Sequence, residues 1–312
     1  MEGEVAIGGV RVDNLDGNLY HRKQIRQSTK EGVYDMLYEV VHLTERFPQL
    51  AENGCDPKLT AYLPDNMTEM GRGDQKRPCL LVCPGGGYRG VSKREGEPIA
   101  LHFLPYGYNV FVLWYSVSPN RFPAQLREVA AAMELIYENA EAWHCNTEKI
   151  AIMGFSAGGH LAAHYTNAYN WPEVRELFPE SKPVNASLLC YPVIAATPEY
   201  TAHLGSFRNL LGKEELTEEE QLRFSCNNMV TDQTPPTFLW HTRQDQVVPV
   251  MNTLLYGQAL AEHNVPFAMH IYPEGVHGLA TVDSVTNNEL SPASAHAKDW
   301  LDAAHKWLSF TF

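Results

Sequence analysis

Apolar and polar residues alternate along the chain in two recurring patterns. Short apolar runs of strand length come first, and longer stretches with apolar residues at helical spacing follow most of them. The predicted strands cover residues 38–43, 58–64, 79–83, 109–115, 150–153, 186–192, 237–241 and 268–272. The predicted helices cover residues 99–104, 123–143, 157–168, 217–224, 252–263 and 293–308. This alternation predicts an α/β fold, in which a mainly parallel central sheet carries helices on both faces.

The same pattern predicts how the domain is organised. Residues 1–34 are polar and weakly patterned, so we expect an irregular N-terminal segment. The interval at about residues 193–232 interrupts the alternation and is long enough for a small lid over a pocket, with Thr217 and Glu220 at the spacing of a helix capping box. The 312 residues, 44% of them hydrophobic, suffice for one large core and predict a single domain.

Charge and composition exclude several classes of partner. The net charge is −13 and no basic run occurs, so a nucleic-acid partner is not expected, and a neutral substrate fits the overall charge better than an anionic one. No apolar run approaches a membrane span, and the acidic N-terminus does not resemble a signal peptide. The six cysteines form no C-x-x-C pair, which favours a cytoplasmic protein with reduced thiols.

The most informative motif is G-x-S-x-G at residues 154–158, between an apolar strand and an Ala-rich helix. A serine at such a strand-to-helix corner lies in strained backbone that exposes its hydroxyl group, and the flanking glycines remove Cβ atoms that would clash. Ser156 is therefore predicted to be a catalytic nucleophile. The N–H groups at the start of the next helix, beginning with Ala157, would face a developing oxyanion.

A nucleophilic serine needs a base and an acid that orients the base, and here they are expected in the order Ser, Asp or Glu, His. Asp245 and His277 each lie just past the C-terminal end of a predicted strand, at the sheet edge where ligand sites gather. The competing acids were Asp232, which precedes its strand, and Glu274, which shares a loop with the histidine. The competing bases His241 and His270 lie at or within strands.

A glycine loop follows the strand at residues 79–83. Pro84 and three successive glycines stand there, and Gly86 and Gly87 are expected to donate backbone N–H groups to an oxyanion hole together with Ala157. The bulky Tyr88, which we expect to fold over the acyl end of a substrate, comes next.

Two further aromatic residues, Phe155 and Phe207, are predicted to bind substrate beside Tyr88. The charged cluster at residues 94–97 is interpreted as a solvated start of a helix, with a substrate-contacting wall as the alternative. His160 and His164 have a spacing that could ligate a metal, but ordinary helix residues are the favoured interpretation. We therefore expect neither a metal nor a cofactor.

These motifs resemble those of the α/β-hydrolase superfamily, and within it the bacterial acetyl-esterase and acetyl-xylan-esterase-like group of sugar-ester hydrolases. The resemblance spans roughly residues 35–312, with Pro84 where the superfamily usually has histidine. The stretches that carry it are residues 84–88, 94–100, 154–160, 235–242 and 273–279.

The resemblance implies a serine carboxylesterase that removes short acyl groups, above all acetyl, from a sugar. A prolyl-oligopeptidase-like peptidase, a feruloyl esterase or lipase, and a non-catalytic binding protein of the same fold are the alternatives. The expected partner is a small ester, with neither nucleic acid nor membrane. A homo-oligomer is compatible with the sequence.

Overall fold

The structure is a computed structural model that describes residues 21–29, 32–51, 54–199 and 203–312. Nine strands of these ranges form one sheet. In chain order they are β1 (His21–Thr29), β2 (Gly32–His42), β3 (Lys58–Leu63), β4 (Arg77–Cys83), β5 (Asn109–Trp114), β6 (Cys145–Phe155), β7 (Ala186–Cys190), β8 (Thr237–Thr242) and β9 (Phe267–Tyr272).

The order of the strands across the sheet is β1-β2-β3-β5-β4-β6-β7-β8-β9. The neighbouring pairs β1–β2, β2–β3 and β3–β5 are antiparallel. The remaining pairs, β5–β4, β4–β6, β6–β7, β7–β8 and β8–β9, are parallel. The predicted α/β fold with a mainly parallel sheet is confirmed. Because the last six strands in this order run in one direction, the loops at their C-terminal ends meet at one edge of the sheet.

The described helices lie on both faces of the sheet, as predicted. They are α1 (Leu43–Arg46), α2 (Glu97–Phe103), α3 (Ala124–Glu138), α4 (Ala157–Ala168), α5 (Pro172–Arg175), α6 (Leu204–Leu211), α7 (Glu218–Phe224), α8 (Met251–Glu262) and α9 (Trp300–Thr311). None of the helices in the described ranges has the length and hydrophobicity needed to cross a bilayer.

The two faces of the sheet build two separate hydrophobic cores. Along β4, Leu81 contributes to the core under α3, α4 and α8, whereas Leu80 and Val82 contribute to the core under α2 and α9. Along β6, Ile152 and Met153 divide in the same way. Successive side chains of a strand point to opposite faces, so a strand covered on both sides is apolar throughout, which is why these segments read as continuous apolar runs.

The N-terminal part of the chain differs from the irregular segment expected at residues 1–34. Within it, β1 pairs with β2 in an antiparallel ladder that runs from His21 opposite Val40 to Thr29 opposite Gly32. This edge pairing rests on backbone hydrogen bonds, and charged residues are common on edge strands, so the sequence of β1 carries little hydrophobic signal. Residues 1–20 lie outside the described ranges.

The predicted insertion lies between β7 and β8 and contains α6 and α7. Thr217 caps α7 as expected: its side chain accepts a hydrogen bond from Glu220 N at 3.2 Å, and the Glu220 carboxylate accepts one from Thr217 N at 3.0 Å. The single domain and the lid function of this insertion stay predictions.

The junction between α4 and the end of β4 is packed backbone against backbone. A Cβ atom at Gly158, in the first turn of α4, would lie 2.1 Å from the carbonyl oxygen of Cys83 and 2.3 Å from that of Pro84. Backbone atoms cannot move aside as a flexible side chain could. The helix can therefore approach this strand only with glycine at position 158.

We predict that Gly158→Ala lowers the free energy of unfolding by about 3 kcal/mol, at the upper end of ordinary overpacking, because two backbone carbonyls must shift. Urea unfolding followed by circular dichroism measures this. Gly205→Ala in α6 is the matched control, since an added Cβ there meets no atom within 4 Å. Equal unfolding midpoints for the two variants would contradict the account.

Candidate active site

Ser156 occupies the corner between β6 and α4 in a strained conformation. Its φ of 53° and ψ of −119° are rarely adopted by residues other than glycine. Its N–H donates to Cys190 O at 3.0 Å, and its carbonyl accepts from Val193 N at 3.0 Å. A Cβ at Gly154 would lie 2.1 Å from Gly158 O, so the turn requires glycine on either side of the serine.

Ser156, His277 and Asp245 form one hydrogen-bonded chain at the C-terminal edge of the sheet. His277 Nε2 lies 2.8 Å from Ser156 Oγ, and His277 Nδ1 lies 2.6 Å from Asp245 Oδ2. Because a carboxylate only accepts, Nδ1 carries the proton and Nε2 is free to accept the serine hydroxyl. The structure thus brings together the three residues predicted from their order, whereas Asp232 is exposed and precedes β8.

The carboxylate of Asp245 is nearly buried and fully engaged. Its Oδ1 accepts the N–H groups of Val247 and Val248, each at 2.9 Å. Burial by itself raises the pKa of Asp245, but hydrogen bonds from His241 and His277 outweigh burial and hold the pKa well below its ordinary value of 3.8. Asp245 is therefore ionised at neutral pH.

His241, a competing base at the sequence level, supports the acid instead. Its Nε2 lies 2.9 Å from Val248 O and 3.3 Å from Asp245 Oδ2, and its Nδ1 lies 2.7 Å from Thr253 Oγ1. The ring is completely buried and has no path to a substrate. It packs and orients the loop that carries Asp245.

The glycine loop after β4 has the backbone conformation that only glycine adopts easily. Gly86 and Gly87 have φ of 133° and 65°, and a Cβ at Gly86 would lie 2.1 Å from Gly90 O. In the described ranges the N–H groups of Gly86 and Gly87 have no hydrogen-bond partner, and Ala157 is the first residue of α4, where an N–H has no partner within the helix. These three N–H groups are available to an anion beside Ser156.

A cavity of about 410 Å³ opens over Ser156 and His277. Gly86 and Gly87 form part of its wall, and the insertion contributes His203, Gly205 and Asn209. Most of the other lining side chains are polar, and Val247 is apolar.

The three aromatic residues predicted to bind substrate do not line this cavity, so that prediction is wrong. Tyr88, Phe155 and Phe207 are each at most 1% exposed. The Tyr88 hydroxyl donates to His160 Nδ1 at 2.9 Å, and His160 Nε2 donates to Phe224 O at 2.9 Å. The aromatic rings fill the two cores beneath the loops, because burying a large ring is more favourable than leaving it at a polar surface.

His160 and His164 take the structural role favoured at the sequence level. Both side chains are buried, and burial lowers the pKa of His160 to about 4, so its ring is neutral. The His164 ring stacks on Phe122 and contacts Trp171 edge-on.

Glu95 is a site residue that the sequence interpretation of a solvated helix start missed. Only 3% of it is exposed. Its Oε2 accepts Gly85 N at 2.8 Å and its Oε1 accepts the Tyr191 hydroxyl at 2.7 Å. The same hydroxyl accepts Ala280 N at 3.1 Å, and the Tyr191 ring contacts His277 edge-on. Glu95 thus ties the glycine loop to the histidine loop; the neighbouring charges at residues 94–97 gave no sign of this.

Asn209 ties the insertion to the glycine loop. Its side-chain amide donates to Gly87 O at 2.8 Å, and Ser118 N holds the next carbonyl, Tyr88 O, at 2.8 Å. The conformation of the loop therefore depends on contacts from elements distant in sequence.

The sheet order, the serine corner and the positions of Asp245 and His277 after β8 and β9 define an α/β-hydrolase. Comparison with known proteins agrees with this class. The chain belongs to the BD-FAE family, whose family model matches residues 62–260.

Relatives of known name support the same grouping. The chain is 39% identical over 249 residues to endo-1,4-beta-xylanase B of Butyrivibrio fibrisolvens. This alignment covers 77% of this chain and 36% of that protein. It is 30% identical over 225 residues to an acetylxylan esterase of Xylanibacter ruminicola, covering 71% of this chain and 43% of that protein. The aligned part is thus less than half the length of either relative.

Among solved structures, the fold is similar to that of an acetyl ester-xyloside bifunctional hydrolase from Caldicellulosiruptor lactoaceticus. The two chains are 34% identical with a TM-score of 0.74, and the match covers 87% of this chain and 95% of the other. Here the similarity extends over nearly the whole of both chains.

The depressed pKa of Asp245 predicts a specific acid sensitivity. A carboxyl whose pKa is lower in the folded state stabilises the fold fully above its ordinary pKa, and that stabilisation is lost as the pH falls through and below this value. Between pH 7 and pH 3, we expect wild type to lose about 1 kcal/mol more unfolding free energy than Asp245→Asn, because pH 3 lies only slightly below the ordinary pKa of the carboxyl.

Urea unfolding at both pH values measures this difference, with the exposed Asp232→Asn as control. The explanation fails if Asp245→Asn shows the same loss as wild type, or if the control shows the smaller loss.

Proposed function

We propose that the protein is a serine carboxylesterase that removes short acyl groups, acetyl first, from carbohydrate esters. The observation that carries the proposal is the hydrogen-bonded chain from Ser156 through His277 to Asp245, which opens onto a cavity. Beside it lie three backbone N–H groups for which the described part of the chain supplies no partner. The names of the relatives, acetylxylan esterase and acetyl ester-xyloside hydrolase, support the choice of acetyl and sugar.

In the first half of the reaction, Ser156 Oγ attacks the ester carbonyl carbon while His277 Nε2 accepts the hydroxyl proton. Asp245 keeps the imidazole in the required tautomer and stabilises the imidazolium ion that forms. His277 then protonates the departing sugar oxygen, and the acyl group remains on Ser156. In the second half, a water molecule attacks the acyl carbon while His277 Nε2 accepts its proton. The bond between the acyl carbon and Ser156 Oγ then breaks, His277 returns the proton to Ser156 Oγ, and the carboxylic acid leaves.

The tetrahedral intermediate carries its negative charge on the former carbonyl oxygen. We assign the N–H groups of Gly86, Gly87 and Ala157 as donors to this oxyanion. One such donor typically contributes about 3 to 4 kcal/mol to transition-state stabilisation. Because the glycine loop is already held by Glu95 and Asn209, its N–H groups need no rearrangement when the charge develops.

We predict that Ser156→Ala and His277→Ala each lower turnover of 4-nitrophenyl acetate by about a million-fold, and Asp245→Asn by about ten-thousand-fold. The variants should remain folded, which circular dichroism checks. A fluorophosphonate probe should label wild type at Ser156, identified by mass spectrometry of the labelled peptide.

Asp232→Asn is the control for the acid, because Asp232 is exposed and lies before β8. If Asp232→Asn lowered turnover more than Asp245→Asn, or if Ser156→Ala kept several per cent of the activity, the assignment of roles would be wrong. Absence of probe labelling would favour a non-catalytic binding protein.

Acyl length gives an independent test. Val247 is the chief apolar side chain at the cavity, among polar neighbours. Each methylene gains about 0.8 kcal/mol only where it is buried against apolar surface, so a long chain gains little here. We predict higher kcat/KM for 4-nitrophenyl acetate than for the butyrate, and much lower values for the octanoate.

The same panel separates the competing functions. A preference for octanoate would indicate a lipase, a preference for methyl ferulate a feruloyl esterase, and faster cleavage of amino-acyl amides a peptidase. The cytoplasmic location and a homo-oligomeric state stay predictions, which cell fractionation and light scattering would test.

A further inference from the structure

Two arginine side chains, Arg89 and Arg94, line the cavity that opens over Ser156. Both residues are exposed, and within the described ranges neither guanidinium group forms an ion pair with a carboxylate. Other arginines of this acidic chain are neutralised in that way, for example Arg46 by Glu138 at 2.6 Å. The cavity wall thus carries two guanidinium groups that no carboxylate of the described ranges neutralises.

The two carboxylates near the cavity are not free to accept hydrogen bonds from the guanidinium groups of Arg89 and Arg94. Both oxygens of Glu95 are occupied by Gly85 N and the Tyr191 hydroxyl, and Glu95 is only 3% exposed. Asp245 is 6% exposed and engaged by His277 and two backbone N–H groups. Among the residues that the structure describes, the open face of the cavity therefore offers guanidinium donors and no free carboxylate acceptor.

Arg94 is held at a defined place beside the histidine loop. Its Nη1 donates to Thr286 O at 3.0 Å, and a Cβ at Gly278 would lie 3.1 Å from its Nη2. Gly278 directly follows His277, the group that protonates the departing alcohol in the proposed reaction. Because Arg94 is close to the residue that would protonate the alcohol, we place the alcohol part of the ester beside it.

We propose that Arg89 and Arg94 form a subsite for a carboxylate on the alcohol part of the ester, so that the favoured substrate is an acylated sugar that is, or carries, a uronic acid. A guanidinium group matches a carboxylate with two parallel hydrogen bonds, and the carboxylate of a uronic acid is an anion that sugars commonly carry. This inference rests on the proposed esterase function.

A carboxylate-binding subsite differs from the neutral substrate that the overall charge favours. A net charge of −13 favours a neutral substrate if charge is averaged over the surface. The cavity departs from that average, and binding depends on the charges within about one Debye length, roughly 8–10 Å at physiological salt.

The test compares two acetylated substrates that differ at one group: acetylated methyl glucuronoside, with a carboxylate, and acetylated methyl glucoside, with a neutral hydroxymethyl group in its place. Acetate release gives kcat/KM for each. We expect wild type to favour the uronate by tenfold or more, as for hydrogen bonds to a charged group. The preference should shrink as KCl is raised.

The variants are Arg89→Gln, Arg94→Gln and the double variant, with Arg243→Gln as the charge-matched control. Arg243 is exposed, follows β8 and does not line this cavity. The ratio of kcat/KM for the uronate to kcat/KM for the glucoside should fall in each single variant and approach one in the double variant. Arg243→Gln should keep the wild-type ratio. Equal rates for the two substrates in wild type, or a preference that survives in the double variant, would overturn the subsite.

A binding measurement separates this proposal from the esterase proposal. Calorimetric titration of methyl glucuronoside into Ser156→Ala, with and without the two arginine substitutions, needs no turnover. Binding that disappears with the arginines supports the subsite even if no sugar acetate is hydrolysed, in which case only the esterase function fails. Hydrolysis of both acetates without discrimination, together with unchanged binding, leaves the esterase function standing and rejects the subsite.

Discussion

The close junction between β6 and α4 is the constraint on which the rest of the site depends. Ser156 adopts a positive φ there, and its backbone is anchored on both sides by Cys190 and Val193. Gly154 and Gly158 have no room for a Cβ, since each would meet a carbonyl oxygen at 2.1 Å. Strain of this kind persists only where the surrounding packing over-determines it. The neighbouring strands β4 and β7, which are buried at every position but one, supply that packing.

The loops around the serine are coordinated by buried polar groups. Glu95 connects the glycine loop to Tyr191, and Tyr191 connects to the histidine loop, while Asp245 is held by His241, His277 and its own turn. Burying a carboxylate costs free energy of folding unless hydrogen bonds or ion pairs satisfy its oxygens. The partners of a buried carboxylate therefore show which groups hold it in place. Both carboxylates of this site are satisfied by groups from other loops, so each loop constrains its neighbour.

The insertion between β7 and β8 forms part of the wall of the cavity over Ser156. It contributes His203 and Asn209 to a lining of mostly polar residues that also includes Val247, and Asn209 also binds the glycine loop. Ser156, His277 and Asp245 lie at the edge of the sheet, whereas loops and the insertion form most of the cavity wall. This division explains why the family membership of the chain supports the reaction more directly than it supports any one sugar.

The sequence alone determined most of the strands and helices, the fold class and the three residues of the hydrogen-bonded chain. Strand and helix periodicity is a local property, and the order Ser156, Asp245, His277 after successive strands follows from the parallel sheet. Side-chain direction is not local, so only the tertiary structure showed that Tyr88, Phe155 and Phe207 turn into the cores and that Glu95 bridges two loops. The edge strand β1 also escaped prediction, because backbone pairing holds it without a hydrophobic pattern. The residues that line the cavity come from several loops at the edge of the sheet. These loops are far apart in sequence, so no local pattern predicts that they come into contact.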